Sequence, residues 1–226
     1  METRLSDKLS LISGLRVEER QAYYDNSEAL SFEPTDTMLG GKLSLSYQYT
    51  PDHLIYTSVN RGYKAGGVNT DGTLPEYLRQ FDPEFLWNYE LGYKSSFFSG
   101  DAYIRTAVFY MDRKNVQINS STDIQRPDGS SEFIDYLGNA ASGFNRGLEV
   151  EGAWQLHDML ELYGSLGLLE SEFRDFVNAK GENLSGREQA HAPNYQFNLG
   201  MNYLVNEQWL VNLSLDGKDE FYFSDN

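Results

Sequence analysis

The sequence has no cysteine among its 226 residues. That excludes a disulfide scaffold, a thiolate metal site and a cysteine nucleophile, and leaves the compartment open. Histidine is nearly as scarce. His53, His157 and His191 are scattered over turns and loops, with no HExxH pair and no carboxylate–histidine cluster around them. No GxSxG elbow occurs, and the glycine-rich stretch Gly62-Tyr-Lys-Ala-Gly66-Gly67 leads into a polar segment, not a helix, so a phosphate loop is excluded. Basic residues are outnumbered 18 to 34 by acidic ones, giving a formal net charge of −16. Such a chain repels phosphate backbones, which argues against nucleic-acid binding. No run of about 18 apolar residues is present, so no transmembrane helix is expected. The start, Met1-Glu2-Thr3-Arg4, enters a strand-like pattern without an apolar leader.

What the chain does have is aromatic rings. Tyr, Phe and Trp number 16, 13 and 3, in a polar chain of mean hydropathy −0.55. That combination suits a structure with wide interfaces and a wet interior, as in a transmembrane barrel with an apolar outer band, aromatic girdles and a polar lumen. The dominant period is two. Leu43, Leu45, Tyr47 and Tyr49 alternate with Ser44, Ser46 and Gln48. Trp87, Tyr89, Leu91 and Tyr93 face away from Asn88, Glu90 and Lys94. Tyr195, Phe197, Leu199, Met201, Tyr203 and Val205 oppose Gln196, Asn198 and Asn202, and Trp209, Val211, Leu213 and Leu215 oppose Asn212, Ser214 and Asp216. Successive side chains of a strand point to opposite faces, so each segment has one apolar and one polar face.

Nine strands are expected near residues 7–20, 38–50, 53–64, 85–98, 101–118, 142–156, 159–173, 193–205 and 208–221. Several exceed the roughly 9–11 residues that cross a bilayer at a tilt. Their connections alternate. Thr50-Pro51-Asp52, Ser99-Gly100, Leu156-His157-Asp158 and Asn206-Glu207-Gln208 are tight turns. Residues 21–37, 65–84, 119–141 and 174–192 are expected as long polar loops, with Gly66, Gly67, Gly72, Gly129, Gly181 and Gly186 among them. Short turns at one end and long loops at the other are the plan of an outer-membrane barrel. The fold class expected is therefore all-β, an antiparallel transmembrane β-barrel. Nine is an odd number for such a barrel, so the chain is expected to be incomplete at both ends and to aggregate as a free polypeptide through its bare edges.

Four stretches carry a family resemblance. Arg61-Gly-Tyr63-Lys-Ala-Gly66-Gly67-Val-Asn69 is the first, and Phe81-Asp-Pro83-Glu84 through Tyr89-Glu90-Leu-Gly92-Tyr-Lys94 the second. Phe109-Tyr-Met-Asp112 is the third, and Asn139-Ala-Ala-x-Gly143 followed by Arg146-Gly147-Leu-Glu149-Val-Glu151 the fourth. In this order and at this hairpin spacing they resemble TonB-dependent outer-membrane receptors, over nearly the whole chain. The resemblance implies part of a barrel of about 22 strands with a plugged lumen. Residues 1–226 would be a partial barrel domain, without the plug and the closing strands. It implies TonB-energised uptake of a scarce nutrient across the bacterial outer membrane, with a ferric siderophore as the leading substrate and with membrane lipid, a plug domain, TonB and the siderophore as partners. Neither a cofactor nor a resident metal is implied.

Two sets of residues follow. Charges on a lipid face are costly, so Glu90, Lys94, Glu149 and Glu151 should face the lumen and the plug. Arg61, Tyr63, Lys64, Tyr77, Arg79, Phe133 and Tyr136 fall at the long-loop end, where rings and cations would suit a ferric siderophore. Blander readings stand beside these: girdle aromatics and ordinary loop residues for the second set, and for Glu149 and Glu151 a glycosidase pair as the sharper rival. The loop acids Asp123, Asp128, Asp135 and Asp175 lack EF-hand spacing, which leaves solvated loops as their default. Other classes stay open: a porin-like or adhesin barrel, and a secreted carbohydrate-binding β-sandwich.

Overall fold

The computed structural model describes residues 1–25, 31–126, 128–178 and 181–225, with the side chains of Ala140 and Ala141 left out. The main strands are β1 (Glu2–Arg4), β2 (Leu9–Gln21), β5 (Thr35–Thr50), β6 (His53–Lys64), β9 (Glu84–Phe97), β10 (Ala102–Gln125), β11 (Ser131–His157), β12 (Leu160–Asp175), β13 (Tyr195–Asn206) and β14 (Trp209–Lys218). Two-residue strands β3 (Tyr24–Asp25), β4 (Ser31–Phe32), β7 (Gly67–Val68) and β8 (Gln80–Phe81) lie in the connections. The main strands form one ten-stranded sheet in the order β1-β2-β5-β6-β9-β10-β11-β12-β13-β14. Every pairing is antiparallel, each strand lying beside the next along the chain, and the sheet is open at β1 and β14.

All nine expected strands are present, and β1 is an addition too short to announce itself by alternation. Two expectations are corrected. Residues 119–141 are not a loop: the β10–β11 ladder continues from Val116↔Ala140 out to Gln125↔Ser131. The strand expected to reach 221 ends at Lys218.

Register places like with like. Leu11, Leu45, Thr57, Leu91, Val108, Leu148 and Leu168 are successive cross-strand partners on one face. Lys94, Arg105, Glu151, Ser165, Asn198 and Asp216 are successive partners on the other. Partners directly opposite share a face, so a slip of one residue would invert every strand. On the first face Leu91 is 57% exposed and Val108 53%. Apolar exposure on this scale is foreign to a soluble monomer and ordinary against hydrocarbon. From Tyr89 to Phe97 along β9 is about 27 Å at ~3.4 Å per residue, or roughly 20 Å after a tilt of about 40°, near the ~25 Å apolar band of outer-membrane barrels.

Among the described residues, no cluster of buried apolar side chains lies beneath the middle of the sheet. The buried apolar residues gather instead at the long-loop end, in one cluster of Val116, Ile118, Phe173 and Phe176 with Leu184, and another of Leu74, Ile134 and Tyr136 with Leu78 and Ile124. At the other end the turns are short. Asn206 closes one by accepting from the backbone N–H groups of Gln208 and Trp209 at 2.9 and 3.1 Å. Gly100 closes another at φ +104°, a backbone conformation open to glycine at little cost.

Candidate functional site at the long-loop end

The sequence motifs converge here. Glu84 opens β9. Arg113 of β10 donates through Nε and Nη2 to Glu84 Oε1, at 2.8 and 2.6 Å, and the Gln117 backbone N–H donates to Oε2 at 2.9 Å. The third guanidinium arm of Arg113 reaches Gln189 Oε1 at 2.6 Å. Gln189 Nε2 then donates to Asn145 Oδ1 at 3.1 Å and to the Glu172 and Phe144 carbonyls at 3.2 and 3.3 Å. Charge-assisted bonds of this kind are about twice as strong as neutral ones. They tie the base of the 65–83 segment, the long hairpin and the 176–194 segment together.

Close approach explains the glycines. A Cβ on Gly143 would stand 2.9 Å from both Gln189 Nε2 and the Glu172 carbonyl, and one on Gly66 only 2.5 Å from the Phe81 carbonyl. Asn139 completes the join: its Oδ1 accepts from the Asp82 N–H at 2.8 Å and its Nδ2 donates to the carbonyls of Asp82, at 3.1 Å, and Asn115, at 2.8 Å.

Above this lies a second lock. Asn69 Nδ2 donates to the Leu78 and Leu137 carbonyls at 2.8 and 2.9 Å, while its Oδ1 accepts from the Leu137 N–H at 2.9 Å. Arg79 is fully buried. It donates to the Asp71 carbonyl at 2.7 Å and lies over the rings of Tyr24 and Phe32, 5.7 and 5.8 Å from their centroids. Thr73 donates its hydroxyl and backbone N–H to Asp71 Oδ1, at 2.5 and 2.9 Å, which holds that carboxyl below its usual pKa.

Of the seven residues expected to meet a ligand, Tyr77 and Phe133 are open to solvent, 80% and 79% exposed. Tyr136 is buried against Leu74 and Ile134. It shares a cleft of about 320 Å³ with Tyr77, Gln80 and Asn139. Arg79 is spent on holding loops. Tyr63 donates its hydroxyl to Glu18 at 2.9 Å, and Lys64 is exposed at the end of β6. Arg61 pairs in register with Trp87 and so lies on the outward face, its guanidinium 4.7 Å from the Phe85 ring centroid. The other expected set shares the face opposite Leu91, Val108 and Leu148. Tyr56 donates to Glu90 at 2.6 Å, and the Lys94 ammonium sits 5.4 Å from the Tyr56 ring centroid. Arg105 donates to Glu151 at 2.8 Å. Lys94, Glu149 and Glu151 line a hollow of about 850 Å³ with Asp216 and Lys218. Among the described residues, no group of His, Asp or Glu is arranged to hold a metal ion.

Sequence reading assigned no role to Arg113, Gln117 and Gln189. A signal existed for Gln117, which stands between Val116 and Ile118 in a stretch too apolar for an open loop. Gln189 offers none, because its partners lie on other elements.

The sequence matches the family described as TonB dependent receptor-like, beta-barrel, over residues 1–226. It is 32% identical over 120 residues to the pesticin receptor of Yersinia enterocolitica, covering 53% of this chain and 16% of that protein. The pesticin receptor of Yersinia pestis matches at 31% over 120 residues, with the same coverage of 53% and 16%. The ferric yersiniabactin uptake receptor FyuA from Yersinia pestis superposes with a TM-score of 0.73 at 22% identity, over 99% of this chain and 33% of that one. The siderophore receptor PiuA from Acinetobacter baumannii does so with a TM-score of 0.73 at 18% identity, over 96% and 32%. The chain thus spans about a third of the length of these solved receptors and a smaller share of the curated ones. These relatives are receptors and transporters. An outward apolar face, an inward charged face and interlocked long loops agree with the match along the whole sequence: this chain belongs to the TonB-dependent receptor family, as part of its outer-membrane β-barrel.

Proposed function

We propose that this chain forms part of the wall of a receptor that takes up a ferric siderophore across the outer membrane with energy from TonB. Transport, not catalysis, is its work. The observation that carries the reading is the long-loop end, where hydrogen-bonded locks fix the loops and leave Tyr77 and Phe133 open. Fixed loops presenting rings suit capture of a bulky ligand, since ordering them beforehand lowers the entropy lost on binding. The names of FyuA and PiuA as siderophore receptors support the same class. The inner face, with Lys94, Arg105 and Lys218 set among Glu149, Glu151 and Asp216, suits contact with a folded plug of matching charge.

The test is uptake of radioactive iron by cells carrying or lacking the intact gene, each supplied with a panel of siderophores under iron starvation. Uptake of at least one ferric siderophore is expected to need both this gene and TonB. Equal uptake of every iron complex with and without the gene would sink the reading.

A further inference from the structure

The cleft at the long-loop end differs in charge from the segments that build it. Three of them line it: Tyr77 and Gln80 from one, Ile118 and Tyr136 from the long hairpin, Val177 and Asn178 from a third. None of its described lining residues is Asp, Glu, Lys, Arg or His. Its volume of about 320 Å³ is enough for part of a small molecule. It is open to solvent at Tyr77, 80% exposed, and at Val177, 63% exposed.

Each segment carries an exposed acid close by. Glu76 precedes Tyr77, and Asp135 precedes Tyr136. Asn178 donates to the exposed Glu182 at 2.7 Å. The same segments offer little positive charge in return. Arg79 is fully buried, Arg126 is paired with Glu132 at 2.9 Å, and the Arg187 guanidinium lies 4.5 Å from the Tyr222 ring centroid. Lys180 lies outside the described residues. Beyond the cleft, residues 22–34 and 219–226 add Asp25, Glu33, Asp219, Glu220 and Asp225, with no Lys or Arg among them.

Charge therefore sorts what can enter. An uncharged lining supplies ring faces, amides and a hydroxyl, and nothing that would neutralise an anion as it loses its water. The acids around it repel a multiply negative complex before contact, over a range of about 10 Å at 0.1 M salt. We infer that this cleft admits the ring-bearing part of an uncharged iron chelate and turns away chelates of multiple negative charge. The inference rests on the siderophore reading above and narrows it by charge.

The test is binding of iron chelates by the full-length receptor in detergent, followed by quenching of its intrinsic fluorescence. One set of chelates is uncharged and bears a phenolate ring; the other is triply anionic, with three catecholates around the iron. The best uncharged chelate is expected to bind at least about ten-fold tighter than any tris-catecholate at low salt, and added salt to narrow that gap by screening the repulsion. Tyr77→Ala should weaken the uncharged chelate about ten-fold. Glu76→Gln combined with Asp135→Asn should strengthen the tris-catecholate about three-fold. Equal or tighter binding of a tris-catecholate overturns the inference while siderophore uptake stands, and so does unchanged binding by the Tyr77 variant. Binding of no uncharged chelate overturns it as well, and the cellular uptake assay then decides separately whether the siderophore reading survives.

Discussion

Removing the Glu84 carboxylate leaves the Arg113 guanidinium with one partner where it had two, and strands the Gln117 backbone N–H in a buried position. Breaking a buried pair commonly costs about 3–5 kcal/mol. The Arg113 side chain keeps 25% of its exposure, so Glu84→Ala is expected to cost less, on the order of 2 kcal/mol. A urea titration of the full-length receptor in detergent would show a lowered midpoint, and an unchanged midpoint would refute the role given to Glu84. Gly143→Ala should act on the same network by pushing Gln189 away, and overpacking of this kind costs about 1–3 kcal/mol. At this scale the sequence was informative for residues within regular strands. Alternation alone was enough to set Glu90, Lys94, Glu149 and Glu151 on the face away from the apolar residues. It could not resolve Arg61 and Arg79. Arg79 lies outside the regular strands and Arg61 is an arginine on an otherwise apolar face, and the surroundings of both come from segments distant in sequence.

The long hairpin is the element least like its sequence. Residues 119–125 and 131–138 are polar enough to read as loop, yet they pair without a break, and one face is buried against Leu74 and Leu78. A cue was present: Asp128-Gly129 between two runs of β-formers is turn chemistry, and Gly129 indeed adopts φ +84°. Backbone amides of Val116–Ile124 are expected to exchange with deuterium as slowly as those of strands in the membrane. Exchange at loop rates would contradict the ladder.

The 69–79 segment should respond to acid. The Asp71 carboxyl is held below its usual pKa, chiefly by the Thr73 hydroxyl and then by the Thr73 N–H. A depressed folded pKa contributes stability that is fully present above the ordinary carboxylate value and lost as pH falls through the lowered one. Amide exchange at Thr73 and Leu74 should therefore quicken only below the ordinary carboxylate range, and Asp71→Asn should bring that loosening on at neutral pH.

Taken whole, the molecule is a two-sided wall, and its sidedness was legible because strand, turn, strand, loop recurred along the chain. Turn chemistry marked one end plainly, whereas the loop end, built from contacts remote in sequence, was legible only in composition. These 226 residues hold no cysteine that would compete with an introduced one, so the sidedness of this stretch is open to measurement. Single substitutions at Leu91 and Glu90 of the full-length receptor, labelled in cells, should separate cleanly: the Leu91→Cys thiol open to membrane-soluble reagents and closed to aqueous ones, the Glu90→Cys thiol closed to the former. Both behaving alike would mean that the sheet does not stand between hydrocarbon and water.

The β10–β11 ladder runs roughly 30 Å along the strand from Val116 to Gln125, which carries the Asp128–Ser130 turn clear of the sheet's body. Whatever approaches such a cell from outside would meet this spur early. A short epitope spliced in at the turn could therefore report the receptor on living bacteria, leaving the locks at the base of the loops undisturbed.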